Sequence, residues 1–401
     1  MRNIVIMLFL ASCVLHAGEN TLTLTAFNGV QATLDGRIML DAAAFNGEDS
    51  DLAGGIVLRE ARLALKLKLG EQWRAEMDVD FSRQQARVMD MWIAREVSPM
   101  LRVTAGHFKP PFSLEELTSS RNLVFAERAY PNAFTPGRRL GLAATAHQRR
   151  WWMSAGVFGP TVASWDDRKD GIHDDPGCSL FARAVGVPFI RADYLLTAGG
   201  SIGLAQPEYA STEVAFDSRP ETEVNLAKFL DTGDIPGVDD WTLIGAEGAL
   251  QWRNVLLSGE YISCEVARAD GYTDLTFDGG YAALSWVLTG ERREWVTNDA
   301  EFGGIAPTHG WGALELALRY SYLNLTDDDY QLAPDATDDT DRIKGGKANN
   351  YTLACNWYPR TGMRLLTEIV MVDNSVFANG KGALGADDDF WFVQTRLQVC
   401  F

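Results

Sequence analysis

Apolar and charged residues alternate in this chain with a period of two, and that period limits what it can fold into. Ala61, Leu63, Leu65, Leu67 and Leu69 are interleaved with Arg62, Lys66 and Lys68. Trp73, Ala75, Met77, Val79 and Phe81 are interleaved with Arg74, Glu76, Asp78, Asp80 and Ser82. Gly70, Glu71 and Gln72 between them make a tight turn, so the pair reads as a β-hairpin with one apolar and one charged face. The alternation returns over 34–42, 314–321, 364–371 and 393–401, and is less clean over 86–96 and 150–158. A soluble sandwich packs each apolar face on a second sheet. A transmembrane barrel turns that face to lipid and the charged face to water.

The connections favour the barrel. Long segments at 374–389, 325–346, 205–241, 159–176 and 107–137 alternate with short ones at 359–363, 253–254 and 188–192. One end of short turns and one of long loops is the pattern of outer-membrane barrels, with the short turns periplasmic. The strand count is sixteen, and an even number returns both ends of the chain to the periplasm. One connection breaks the rule: 290–311 is long where a short one is due. Phe401 at the tip of the last strand, with Val399, Leu397 and Val393 behind it, resembles the C-terminal assembly signal of outer-membrane proteins. The expected fold is therefore all-β, a transmembrane antiparallel β-barrel of about sixteen strands.

Composition removes other classes. The chain has 401 residues and a net charge of −18, which argues against binding to nucleic acid. Beyond the N-terminus no apolar run approaches the ~20 residues of a spanning helix. Arg2 followed by the apolar run Ile4–Leu10 reads as a secretory leader, cut after Leu15-His16-Ala17. A competing lipoprotein-type box is Leu10-Ala11-Ser12-Cys13. The expected divisions are a leader over 1–17, a short periplasmic segment over 18–32 and a barrel over 33–401. Cys178, Cys264, Cys355 and Cys400 are dispersed and form neither a disulfide framework nor a zinc site. No metal or cofactor is expected.

Specific stretches then point to a family. Gly106-His107-Phe108-Lys109-Pro110-Pro111-Phe112-Ser113-Leu114-Glu115-Glu116-Leu117-Thr118-Ser119-Ser120-Arg121 resembles the signature of the phosphate-selective porin O/P family. So do Phe125-Ala126-Glu127-Arg128, Pro136-Gly137-Arg138-Arg139-Leu140-Gly141, Leu288-Thr289-Gly290-Glu291-Arg292 and Asn356-Trp357-Tyr358-Pro359. The matches stand in family order. The resemblance implies a sixteen-stranded, homotrimeric outer-membrane porin with a constriction loop folded into the lumen. Members differ in substrate, so the family alone does not settle phosphate.

The residues give that loop a reason. Segment 107–137 carries Phe108, Phe112, Leu114, Leu117, Phe125 and Phe134, too apolar for a loop in solvent. Folded against the inner wall, it places Lys109, Arg121, Arg128, Arg138 and Arg139 in or beside the constriction, opposite Arg62, Arg74 and Arg319 of the strands. Guanidinium and ammonium groups in a narrow channel replace an anion's hydration shell. Glu115, Glu116 and Glu127 lie in the same segment and either fix these bases or weaken their selectivity. Eighteen loop carboxylates, at 48–51, 166–175, 327–341 and 387–389, match the net charge and are expected to be extracellular. Trp151, Trp152 and Trp165 are expected at a subunit interface or a lipid girdle.

The functional expectation is passive, anion-preferring diffusion across the outer membrane, for small anions of the phosphate class. The alternatives are a structural or adhesive barrel whose acidic loops bind surface polymers, and an outer-membrane enzyme, for which His147 is the one candidate base. Gly380-Lys381-Gly382-Ala383-Leu384-Gly385 matches a dinucleotide fingerprint only literally, because Asp387–Asp389 and a strand follow it.

Overall fold

The computed structural model describes residues 14–17, 22–26, 30–47, 49–162, 177–208, 211–269, 271–327 and 343–401. Sixteen strands pair antiparallel, each with its successor. They are β1 (Val30–Gly47), β2 (Gly55–Leu69), β3 (Trp73–Asp80), β4 (Arg87–Ser98), β5 (Leu101–Phe108), β6 (Arg139–Gln148), β7 (Trp151–Phe158) and β8 (Ser179–Arg191). Then follow β9 (Tyr194–Ala205), β10 (Val238–Trp252), β11 (Val255–Arg268), β12 (Leu275–Val287), β13 (Ala313–Thr326), β14 (Lys344–Arg360), β15 (Met363–Asn374) and β16 (Phe390–Cys400). The last strand pairs with the first, from Phe390 against Gly47 to Cys400 against Arg37, and so closes the barrel. The Phe401 carbonyl and amide continue that seam onto Gly36 at 2.8 and 3.0 Å. A Cβ at position 36 would stand 2.4 Å from the Phe401 ring, so a side chain there would push that ring out of its place. Leu22–Ala26 pairs with Val30–Leu34 at the periplasmic end of β1, and Val14–Ala17 pairs in turn with Leu22–Ala26.

Side-chain parity follows the alternation. On β1, Ile38 and Leu40 are exposed to the lipid side, whereas Arg37 and Asp41 are buried inside. On β13, Leu316, Leu318 and Tyr320 point outward while Glu315, Arg319 and Ser321 are buried. The ladders run continuously round the wall apart from local register shifts such as those at Met39–Leu40 and Met77–Val79, and so satisfy most of the spanning backbone as the hydrocarbon layer demands.

Two-residue turns join β4 to β5, β6 to β7, β8 to β9, β10 to β11 and β14 to β15, all at one end. The expected turn at 188–192 is shorter than it reads, because β8 runs on to Arg191 through a bulge between Gly186 and Phe189. The irregular connection at the short-turn end is confirmed over 288–312. It carries a small hairpin, Trp295–Val296 against Glu301–Phe302. Glu48, Trp165, Cys13, Gly18 and the acidic runs at 166–175 and 328–341 lie outside the described residues.

Leu318 lies mid-strand on the lipid face. Leu318→Arg is expected to destabilise the folded barrel by about 2–4 kcal/mol, the cost of a base near the bilayer midplane. Urea-dependent refolding into lipid vesicles, followed by tryptophan emission, measures it.

Candidate functional site: the lumen constriction

Three connections turn into the lumen and meet there: 109–138, 206–237 from the long-loop end, and 288–312 from the short-turn end. The first seats an apolar edge on the wall. Phe112, Leu114, Phe125 and Phe134 are buried. Phe108 meets Phe158 edge-on at 5.4 Å, Phe112 meets Phe181 at 6.4 Å and Phe134 meets Phe216 at 5.6 Å. A single helical turn, α1 (Leu114–Leu117), is capped by Ser113, whose hydroxyl accepts from the Glu116 amide at 3.1 Å. Glu260 of β11 accepts the amides of Leu114 and Glu115 at 2.8 and 2.7 Å, groups that a helix start leaves unpaired.

Charge holds the rest of the loop. Arg396 of β16 forks onto Asp41 at 2.7 and 2.6 Å, and reaches the Glu127 carboxylate at 2.5 Å and the Ala126 carbonyl. Arg59 forks onto the same Glu127 at 2.7 and 2.8 Å. Burial pushes the Glu127 carboxyl up, but Arg59 and Arg396 outweigh it and hold it down at about 2. Arg364 donates to the carbonyls of Leu123 and Val124, each at 2.6 Å. Arg293, in the short-turn connection, donates to the Asn122 carbonyl at 2.7 Å and pairs with Glu315 at 3.0 Å. Arg319 donates to the Glu127 carbonyl at 2.9 Å and pairs with Glu221 of 206–237 at 2.6 Å. Arginines therefore bind the loop's otherwise orphaned carbonyls to the wall and to both other inward connections.

Two of the cavities beside the loop bear on passage through the lumen. The larger, about 520 Å³, lies toward the short-turn half. The smaller, about 350 Å³, lies toward the long loops and is bordered by Arg59, Arg219, Glu223 and Lys228. Arg128 lines both. Its guanidinium donates to the carbonyls of Glu115, Glu116 and Thr118 at 2.9, 3.1 and 2.8 Å, which fixes it between the two spaces.

Of the bases singled out in the sequence, Arg62, Lys109, Arg121, Arg128 and Arg138 line the larger cavity, joined by Arg37, Lys66 and Arg102. Three stand elsewhere. Arg74 pairs with Glu96 at 3.0 Å on the short-turn rim. Arg139 pairs with Glu208 at 2.5 Å, and Arg319 is enclosed as one of the pins. Trp152, expected in a girdle or interface, points inward. It is buried and donates its indole N–H to the Asn298 carbonyl at 3.0 Å. The inward-facing residues that the sequence reading passed over are Arg59, Arg293, Arg364 and Arg396. Parity marks Arg364 and Arg396, which share the inward face of Glu368 and Gln394; the irregular connection marks Arg293.

The larger cavity is lined by eight basic residues and five acidic ones. The partners of several bases stand behind them. Asp35 is 6% exposed against 28% for its partner Arg121 and 41% for Lys66. Glu60, 2% exposed, backs Arg37 and Arg62, and Glu116 backs Lys109 and Arg128. In these pairs the base is the more exposed partner, whereas Asp90 is about as exposed as Arg138 and Asp299 is more exposed than Arg102, so the lining carries both signs with a majority of bases.

Comparison with known proteins adds a second line. The family model for phosphate-selective porin O and P matches residues 32–401. Porin O of Pseudomonas aeruginosa is 28% identical over 324 residues, covering 74% of this chain and 69% of that protein. An uncharacterized protein of Caulobacter vibrioides is 26% identical over 356 residues, covering 84% of this chain and 68% of that one. Among solved structures, an anion-selective porin from Comamonas acidovorans superposes with a TM-score of 0.60 at 13% identity, covering 93% of this chain and all of that one. Vibrio cholerae OmpT in a trimer form gives 0.54 at 10% identity, covering 92% of this chain and 99% of that one. The structural likenesses establish the barrel fold.

Glu127→Ala leaves Arg59 and Arg396 short of their shared acceptor. Local release of the loop is expected to become easier by about 3–5 kcal/mol, the cost of breaking a buried pair from one side. Amide hydrogen exchange reads this as faster exchange over 120–130 with the wall strands still protected.

Proposed function

This chain belongs to the phosphate-selective porin O and P family and is an outer-membrane porin; we propose that it passes small anions of the phosphate class by passive diffusion, without a chemical step. The observation that carries this reading is the majority of bases lining the larger cavity, eight against five carboxylates, with Asp35, Glu60 and Glu116 set behind their partners. An anion exchanging water for guanidinium and ammonium donors gains there, and a cation finds fewer carboxylates than bases. The extracellular carboxylates act little on this point, because the Debye length at physiological salt is ~8 Å. The passage runs from the smaller cavity past Arg128 to the larger one. Arg62, Lys109, Arg121 and Arg138 contact the ion, while Arg74 and Arg139 flank the two ends. The leader over 1–17 is removed to leave Gly18 first, 18–32 stays periplasmic, and three copies assemble in the membrane, a reading in keeping with the trimer form of the OmpT neighbour.

The zero-current potential across a salt gradient in planar bilayers tests selectivity. Arg121→Gln with Arg128→Gln is expected to lower the anion-to-cation permeability ratio roughly tenfold, since charges at close range and reduced dielectric act strongly. Asp387→Asn, in an exposed loop, is expected to leave it unchanged. A cation-selective native channel, or a double variant with an unaltered potential, overturns the reading in favour of a non-conducting structural barrel or an enzyme.

Selectivity is also expected to depend on pH. Burial pushes the Lys109 ammonium down to about 7, with Arg128 acting in the same sense. Burial pushes the Glu301 carboxyl, in the short-turn connection, up to about 7, with Asp299 beside it adding to the shift. Below that pH Lys109 is charged and Glu301 neutral; above it the reverse holds. Both changes remove positive charge as pH rises, so anion preference should fall between about pH 6 and about pH 8. Lys109→Gln with Glu301→Gln should flatten the profile of the zero-current potential.

A further inference from the structure

We infer that the larger cavity is a site for an organic anion, a carboxylate or phosphonate carried on an aromatic or aliphatic body, and that such ions bind there more tightly than inorganic phosphate. The inference rests on the anion-porin reading and narrows its substrate class. The observation behind it is carbon where a phosphate path needs none. Trp92 lies on β4 between Met91 and Ile93, which are both exposed to lipid, so its own side chain turns into the lumen. There it borders the cavity together with Phe108, Pro111, Leu117 and Trp152.

Most of these side chains have structural work. Phe108 packs on the main apolar cluster and Leu117 on the cluster of Trp152, Val185 and Ala300. Trp152 has Arg183 over its ring at 5.1 Å and its N–H on Asn298. Trp92 differs, because it belongs to none of the buried apolar clusters among the described residues. The strand opposite it comes unusually close. Gly106 pairs with Trp92 across the ladder at φ 138°, and a Cβ there would meet the Trp92 Cα at 2.6 Å. The indole borders a space of about 520 Å³ that the protein does not fill.

Cations complete the site. Lys66, 41% exposed along its side chain, and Arg121, 28% exposed, border the same space and present donors to an anionic head. An inorganic phosphate is hydrated on every side and gains nothing from an indole wall. An anion with an apolar body places its head on the bases and buries its carbon against Trp92. Charged groups here converge beside aromatic and aliphatic side chains in a space within the ~300–1,000 Å³ of small-molecule sites, so both parts of such an ion find a partner.

The test is block of chloride current through the native channel in planar bilayers by phenylphosphonate, methylphosphonate and inorganic phosphate, which share a head group. Phenylphosphonate is expected to half-block at about one-tenth the concentration of the other two, the gain from burying one ring. Trp92→Ala should bring the two phosphonates to parity, and Trp92→Gln, which keeps a side chain of some length in place, should do the same. Equal block by all three anions in the native channel overturns the inference, as does a phenyl advantage that survives both substitutions. The anion-porin reading fails separately, by a cation-selective zero-current potential in potassium chloride before any blocker is added.

Discussion

Hydrocarbon accepts no hydrogen bonds, and the rest of this molecule answers to that fact. A sheet that crosses it has to close on itself, so β16 returns to β1 and the backbone is satisfied within the wall. Closure then sorts the side chains. Within the hydrocarbon the outer face takes apolar groups, so most charged residues of the strands go inward, and those that do not, such as Arg95, Glu265 and Asp373, lie toward strand ends. An interior crowded with charge cannot be filled by apolar packing alone. It is filled by three inward connections whose own backbone groups need partners, and the wall arginines supply them.

The guanidinium groups of the lumen therefore divide by exposure rather than by type. Arg293, Arg319, Arg364 and Arg396 are enclosed, with their donors spent on loop carbonyls and on Glu315, Glu221 or Asp41. Arg121, Arg128 and Arg138 keep part of their surface on the water. The first group decides where the loop lies, and the second gains its influence from that placement. Net charge of the chain says little about either, because its largest acidic runs lie in loop sequence and outside the spanning strands.

Much of this was legible in the alternation. Strand count and the sidedness of the connections follow from a period of two interrupted by short and long breaks, and the inward loop from the apolar residues of 107–137. Parity also carried the inward assignment of Arg62 and Arg319. What parity does not carry is height along the barrel or the identity of a partner. Arg74 and Arg62 share a face, yet one lies at the rim beside Glu96 and the other beside Glu60 in the cavity. Arg319 reads like a pore base until Glu221 and the Glu127 carbonyl are seen to enclose it. Trp152 was misplaced because an aromatic near a short turn fits a girdle by composition; its partner Asn298 is 146 residues away in a connection whose path the sequence does not reveal.

The seam between β1 and β16 has a bearing on how the chain reaches this state. Arg396 and Asp41, 355 positions apart, meet only when the sheet is complete. Until then the two outer strands present rows of unpaired amides and carbonyls that lipid cannot solvate and that other chains can capture. Partial sheets are thus poor resting points, and the barrel gains little by assembling halfway. The same holds in reverse. Leaving the native state means parting a whole strand pair inside the membrane before any water can compensate, so the folded barrel persists through a high kinetic barrier as much as through its depth in free energy.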